Sequence, residues 1–399
     1  MNTVDLRDGY DVVCVGGALM GSSSAYFLSE NPDFDGSILV VEGDPTYESA
    51  MTTRAQNSIR EQFSNPVNIR ISQFGMDFID NFDENVSVDG QSPAINFRGT
   101  GYLFIAKDDA HLARLASQID VQHDEGAHTR MLTPGQVKDE FPYMSVDTIV
   151  GARVGSMREG SFDGWALLQG FRQRAIANGV HYLTDQVVGI DVHEGTAQSV
   201  RLGSGRSVSC GHVVNSSGTR AKLTAEMVGL SVPIEPRART SFVFDCRTEI
   251  DHNVPLTVLP EGVHFRREQT HYMTGTAPIL DGAVDYDDLD IRHDEFEDQI
   301  WPAVAEYVPA FDRISVVTSW GGQYAFNTLD HNLIIGGGVE VPNFYFANGF
   351  SGHGMQQSPA VGRGISELIT YGNYRTLDMS ALGYERVLAN EPFVESVVI

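Results

Sequence analysis

Gly16, Gly17 and Gly21 break a short apolar run, Val12 to Val15, and lead straight into a stretch of small residues, Ser22 to Leu28. A second apolar run, Ile38 to Val41, ends on Glu42. Glycines at that spacing, between a strand and a helix, let a backbone lie against a pyrophosphate. Gly16 allows the tight turn, and Gly21 lets the helix pack close to the sheet. Between them Gly17, Ala18, Leu19 and Met20 open the helix, whose first N–H groups and partial positive charge suit a phosphate. Glu42, at the end of the second strand, is placed to accept hydrogen bonds from a ribose. Ala18 departs from the fingerprint, because its methyl stands where the backbone comes closest to the phosphates. The same letters also fit a structural glycine turn in another α/β protein; Glu42 at its distance favours a dinucleotide site.

The elements that must position these residues follow from apolar periodicity and from capping residues. Helices are expected over 67–82, 108–125 and 165–178, with a short one capped by Thr133, another near 301–308 and a C-terminal one over 355–370. Strands are expected at 99–106, 180–183, 186–193, 199–202 and 208–215, from Pro233 to about Gly275, and at 333–336 and 344–349. The plan is an interleaved, two-domain α/β chain. A Rossmann-like nucleotide domain takes 1–92, 149–230 and 320–399, and an inserted substrate domain with an antiparallel sheet takes 93–148 and 231–319. Such a plan puts the ligand crevice between the domains, over the carboxyl ends of the strands.

The 399 residues carry 27 Lys and Arg against 53 Asp and Glu, a net charge of −26, which sets the surface against nucleic acid and anionic lipid. Lysine occurs only at Lys107, Lys138 and Lys222, so an anionic substrate would need a local arginine to hold it. An acidic, lysine-poor surface fits a salty habitat and a base-composition bias alike. Cys14, Cys210 and Cys246 lie far apart in apolar contexts. They read as free thiols of a reducing compartment, with no metal site or disulfide frame. No apolar run reaches the length of a membrane span, and Met1 to Asp8 lacks the basic-then-apolar pattern of a secretory leader. A cytoplasmic chain is expected.

Three separated segments carry a resemblance: Gly16 to Glu42, Val214-Asn215-Ser216-Ser217-Gly218, and Asn348-Gly349-Phe350-Ser351-Gly352-His353-Gly354. Together they resemble the D-amino acid oxidase superfamily of FAD-dependent oxidoreductases, in its sarcosine oxidase and dimethylglycine dehydrogenase branch. Ile59 to Ser64 and Gly349 to Gly364 look most like the FAD-dependent oxidoreductase domain-containing protein 1 type. The resemblance covers nearly the whole chain and implies an FAD-binding domain of the glutathione reductase 2 type. It implies noncovalent FAD: no cysteine stands just before Tyr324, where Gly322 and Gln323 are, and no histidine lies in 51–60. It also places Val187 at the adenine, Ser217 and Gly218 where a larger side chain would meet the cofactor, and Gly322 beside it. Gly349, Phe350, Ser351, Gly352, His353, Gly354 and Met355 would line the ring. Ser358 and Pro359 would stand in the first turn of a helix whose positive end favours reduced flavin.

On the substrate side, Arg60 matches the arginine that clamps a substrate carboxylate, a role its planar fork suits. A surface ion pair with Glu61 or a phosphate contact is the plain alternative. Gln356 stands where relatives carry a lysine. Phe265 and Tyr324 match aromatic groups around the substrate amine, or else are core packing. The oxygen-activating lysine of such oxidases would fall within His271 to Gly275, yet no lysine follows Lys222; Arg266 and Arg267 are the nearby cations. The implied activity is oxidation of the C–N bond of a carboxylate-bearing amine (sarcosine, or another N-methyl, secondary or cyclic amino acid), with O2 or another acceptor taking the electrons. A primary D-amino acid, glycine or a 2-hydroxy acid is the alternative substrate. A flavin-bearing assembly partner of a respiratory complex is the alternative role. No metal is implied, and a homo-oligomer is compatible with all three.

Overall fold

The computed structural model describes residues 6–397, so the first residues of the Met1 to Asp8 segment lie outside the described ones. Strand Gly9–Val15, helix Leu19–Ser29 and strand Ile38–Glu42 form the expected opening unit. The two strands are almost wholly buried, as parallel strands covered on both faces must be. They lie in an eight-stranded sheet whose order runs Val187–His193, Thr196–Leu202, Ser207–Asn215, Gly9–Val15, Ile38–Glu42, His181–Thr184. Phe344–Asn348 joins Ser207–Asn215 on the side away from Gly9–Val15, and Ile334–Gly337 pairs with it in turn.

Register explains how distant segments meet. Val15 pairs with Asn215 and with Val41, and Asn215 pairs with Phe346, all in parallel strands. Three strands from the start, middle and end of the chain therefore stop at one level, and the three glycine-bearing loops leave from one crest. Helices Leu19–Ser29, Gly164–Ala177 and Gly354–Tyr371 pack on one face of this sheet, over Val12, Cys14, Val40 and Val214. The contact between the first and last of them is close: Ser23 Oγ donates to Ser358 O at 2.7 Å, and a Cβ at Gly362 would fall on Ser23.

The second sheet, also eight-stranded, runs Ile314–Asn327, Ile234–Cys246, His271–Thr276, His264–Glu268, Leu256–Val258, Tyr102–Ala106, Gly151–Val154, Arg130–Leu132. It is antiparallel except where Leu256–Val258 meets Tyr102–Ala106. It includes Gly151–Val154 and continues to Asn327, beyond the segment limits of 149 and 320 expected from the sequence. The reason is pairing: Gly151–Val154 hydrogen-bonds along Tyr102–Ala106, and the long strand Ile314–Asn327 follows Ile234–Cys246 to its end. One face of this sheet packs Phe242, Phe244, Phe265 and Tyr272 against Phe311 and the helix Trp301–Tyr307. The helix expected over 108–125 is two helices, Asp109–Ala116 and Ile119–Asp124, broken at Ser117 and Gln118. No helix among the described residues is long and apolar enough to cross a membrane.

Candidate active site at the crest of the nucleotide sheet

The first loop is closed too tightly for any residue but glycine. A Cβ at Gly16, where φ is +96°, would stand 2.6 Å from Ser216 O; one at Gly21 would overlap Gly16 O and lie 2.8 Å from Ser216 Oγ. Ala18 is the N-cap of helix Leu19–Ser29 and supplies no side-chain cap; Leu19 N–H donates to Thr52 Oγ1 at 3.3 Å, and an anion at this helix start would be met by the N–H groups that follow. Glu42 closes on this loop from the neighbouring strand, accepting from Gly17 N–H at 2.7 Å and from Asp44 N–H at 2.9 Å. Met20 reaches across to Gly354. Val187 opens its strand next to Gln186, whose side chain packs on Gly43 just past Glu42.

The middle loop adds Ser217 and Gly218. Ser217 Oγ is held by Asn215 Oδ1 at 2.7 Å and sits 2.9 Å from Thr224 Oγ1. Gly218 has φ +60°, and a Cβ there would meet no protein atom within 4 Å. Open space beside a tight glycine cradle, with the buried oxygens Asn348 Oδ1 and Asn57 Oδ1 lacking partners, fits a bound dinucleotide.

The third loop bends sharply. Gly349, Ser351 and Gly352 have φ of +72°, +48° and +95°. Ser351 tolerates this strain because it is stitched down, its N–H donating to Ala325 O and its Oγ accepting from Asn327 N–H, both at 3.0 Å. A Cβ at Gly352 would lie 2.6 Å from the Tyr324 ring, which brings that aromatic to the loop. Phe350 and Met355 turn into the core below. The helix begins at Gly354, so Pro359 falls in its second turn and not in the first. Pro359 has no N–H for the Met355 carbonyl, and Ser358 Oγ takes that bond at 3.0 Å. Gly322 lies against Arg54, and Gln323 N–H reaches Met51 Sδ at 2.9 Å.

On the other side of the third loop lies Arg60, which is 2% exposed. Its guanidinium stands over the Phe63 ring at 4.5 Å and near the Tyr102 ring at 5.7 Å. Nη2 donates to Val397 O at 2.6 Å and meets His353 Nε2 at 3.0 Å; Nε is buried without a partner. Arginine can only donate, so His353 Nε2 is the acceptor and the ring is neutral. Burial first, and the Arg60 charge second, hold His353 well below the ordinary histidine range. Among the described residues Arg60 forms no ion pair with any carboxylate, and Glu61 is not its partner. Gln356 serves the Arg60 backbone: its Oε1 accepts Arg60 N–H at 2.9 Å and the Ser72 hydroxyl at 3.2 Å.

Phe265 does not belong to this site. It is 0% exposed, with its ring 5.5 Å from Phe311 on the far face of the second sheet. Side chains alternate along a strand, so its neighbour His264 takes the inner face instead. His264 Nε2 lies 2.9 Å from Gln56 Oε1, and Gln56 Nε2 donates to Ser241 Oγ at 3.1 Å. Burial, then the charge of Arg266, pushes His264 down to about 4, so it too is neutral. Alternation also separates the two nearby cations. Arg266 turns inward onto Gln56 O, 2.8 Å, and Met273 Sδ, 3.4 Å, whereas Arg267 reaches Ile250 O and Tyr272 OH on the far face. Arg239 stacks over Tyr324 at 4.6 Å and forks onto Asp281 at 2.7 and 3.0 Å.

Three further residues were not visible as site residues in the sequence. Glu159, fully buried, accepts Glu61 N–H at 2.8 Å and Gln62 Nε2 at 2.7 Å, bracing the turn that carries Arg60; burial pushes its carboxyl up to about 7. Glu395 and Val397 arrive from the end of the chain. Nothing local marks them, since their partners are more than 300 residues away.

The family model described as FAD dependent oxidoreductase (DAO) matches residues 11–368. The chain is 34% identical to FAD-dependent oxidoreductase domain-containing protein 1 of Xenopus laevis, over 98% of this chain and 85% of that protein. It is 23% identical to sarcosine oxidase subunit beta of Rhizobium meliloti, over 92% of this chain and 86% of that one. Among solved structures, L-proline dehydrogenase from P. horikoshii superposes with a TM-score of 0.86 at 25% identity, covering 97% of this chain and 100% of that one.

Proposed function

Because the chain belongs to the DAO family of FAD-dependent oxidoreductases, we propose that it oxidises the C–N bond of a carboxylate-bearing amine, an N-methyl, secondary or cyclic amino acid. FAD, bound along the three glycine loops, supplies the two-electron acceptor. Gly16 to Gly21 and the start of helix Leu19–Ser29 hold its pyrophosphate, Glu42 its ribose, and Gly349 to Gly354 pass beside its ring. Arg60 takes the substrate carboxylate and so fixes which carbon faces the ring. Neutral His353 accepts from Arg60 and keeps the guanidinium in place. Tyr324 and the inner face around His264 wall the amine end and exclude water. Positioning accounts for most of what these residues do, since no strong base among the described residues faces the site.

One observation carries the reading. Arg60 is a buried cation without an anionic partner among the described residues, and a buried charge normally has one. A substrate carboxylate supplies it. The resemblance to proteins named sarcosine oxidase subunit beta and L-proline dehydrogenase supports the same class. The test is anaerobic titration of the FAD-loaded protein with sarcosine, proline, glycine, D-alanine and lactate, followed by the same titration of Arg60→Ala. Loss of a charged, buried hydrogen-bonding partner costs about 3–5 kcal/mol. That corresponds to a fall of roughly 150- to 5000-fold in kcat/KM for the carboxylated amine. Unchanged kinetics in Arg60→Ala would remove Arg60 from the site.

A further inference from the structure

We propose that the Val397 carbonyl is a built-in occupant of the carboxylate position, which a substrate must displace to seat on Arg60. The proposal rests on reading Arg60 as the carboxylate clamp. A guanidinium offers a carboxylate two planar forks, Nε with Nη2 and Nη1 with Nη2. Both occur in this protein. Arg70 binds Glu125 through Nε and Nη2, each at 2.6 Å, and Arg130 binds Glu140 through Nη1 and Nη2 at 2.7 and 2.6 Å. Either fork needs Nη2. In Arg60 the two Nη2 hydrogens are already spoken for, one by Val397 O at 2.6 Å and one by His353 Nε2 at 3.0 Å, while Nε stays buried and unpartnered. No two-point carboxylate contact forms until one of these acceptors leaves. His353 sits in the turn before a buried helix; Val397 lies near the end of a strap.

The strap has a fixed end and a movable one. Phe393 N–H donates to Asp330 Oδ2 and Glu395 N–H to Asp330 O, both at 3.0 Å. The Glu395 carboxylate, 0% exposed, accepts from Ser64 N–H at 3.0 Å, Ser64 Oγ at 2.6 Å and Asn68 Nδ2 at 2.9 Å. Beyond that anchor, Ser396 N–H rests on Ser64 Oγ at 3.1 Å, and the Val397 side chain packs beside Tyr102 and Phe104. Glu395 is therefore the pivot, and Ser396 with Val397 is the part that swings. The arrangement has a physical purpose at rest: a neutral carbonyl satisfies a buried cation that otherwise has no anion. An ionised carboxylate bonds a guanidinium more strongly than a carbonyl does, so substrate wins the exchange. The apparent affinity is lowered by the fraction of time the carbonyl holds the position.

The experiment uses the FAD-loaded full chain with propionate as the probe and propionamide as its uncharged control. Binding is read from the flavin spectrum, and strap opening from backbone hydrogen exchange. Propionate is expected to speed exchange at Ser396 and Val397 but not at Phe393. Val397→Gly, which keeps the carbonyl and removes the side-chain anchor, is expected to bind propionate roughly 3- to 10-fold more tightly, with propionamide unaffected. The exchange measurement needs no variant, so a poorly folding Val397→Gly does not stop the test. Equal propionate affinity in both proteins, with exchange at Ser396 and Val397 unchanged, overturns the proposal while leaving Arg60 as the clamp. Propionate binding that survives in Arg60→Ala overturns the clamp, and the proposal with it.

Discussion

Replacing Gly218 by alanine separates space that belongs to the protein from space that belongs to its cofactor. The new methyl would meet no protein atom within 4 Å. Its cost to the apoprotein is then only the left-handed backbone, φ +60°, about 1 kcal/mol, or a fall of about 1 °C in Tm. If FAD fills that space, the methyl strikes the cofactor. Crowding of this kind costs about 1–3 kcal/mol, and FAD should bind roughly 5- to 150-fold more weakly. Gly21→Ala is the contrasting change. Its Cβ overlaps the Gly16 carbonyl and presses on Ser216 Oγ at 2.8 Å, so the apoprotein itself should lose stability, and FAD affinity should fall with it. Thermal unfolding with and without added FAD, together with titration of FAD fluorescence, measures both quantities. Gly218→Ala protein that binds FAD as tightly as the parent would show that the open space beside Gly218 is not the cofactor's, and the placement of the ring across the crest would fall.

Two more predictions follow from individual burials. Phe265→Ala should cost about 3–5 kcal/mol in urea unfolding because its ring packs on Phe311 in the far core; the KM for a carboxylated amine should stay put, and a raised KM at unchanged stability would return Phe265 to the site. Burial raises the Glu159 carboxyl from 4.5 to about 7, so the folded chain holds that proton more firmly than the unfolded one. The stability it contributes is complete below about pH 4 and is lost as pH rises through about 7, amounting to about 3 kcal/mol. Unfolding of the parent and of Glu159→Gln at several values between about pH 5 and pH 8 checks this: the parent should lose more stability across the range, and parallel curves would contradict it.

Much of the nucleotide half was legible in the sequence because its signals are local. Strand, glycine turn and helix adjoin in Val12 to Leu28, and each glycine answers a contact its own turn creates. The second sheet was harder to read. Phe265 and His264 differ by one position, and a period of two allows either to face inward; only pairing with Thr274 and Gly275 decides which. The break at Ser117 and Gln118 was hidden because Leu112, Leu115 and Ile119 keep helical spacing straight across it, with no glycine or proline to mark a stop. Glu395, Val397 and Glu159 were beyond reach for another reason. Their partners, Ser64, Arg60 and Glu61, lie far away in sequence, and no spacing rule connects them.

The strand Ile314–Asn327 binds the two sheets into one mechanical body. Its first half is the outer edge of the second sheet; its last residues carry Tyr324 and hold Ser351 in its strained turn. A hinge between the halves would have to bend this paired ribbon and the turn it holds, so the strand resists opening of one half against the other.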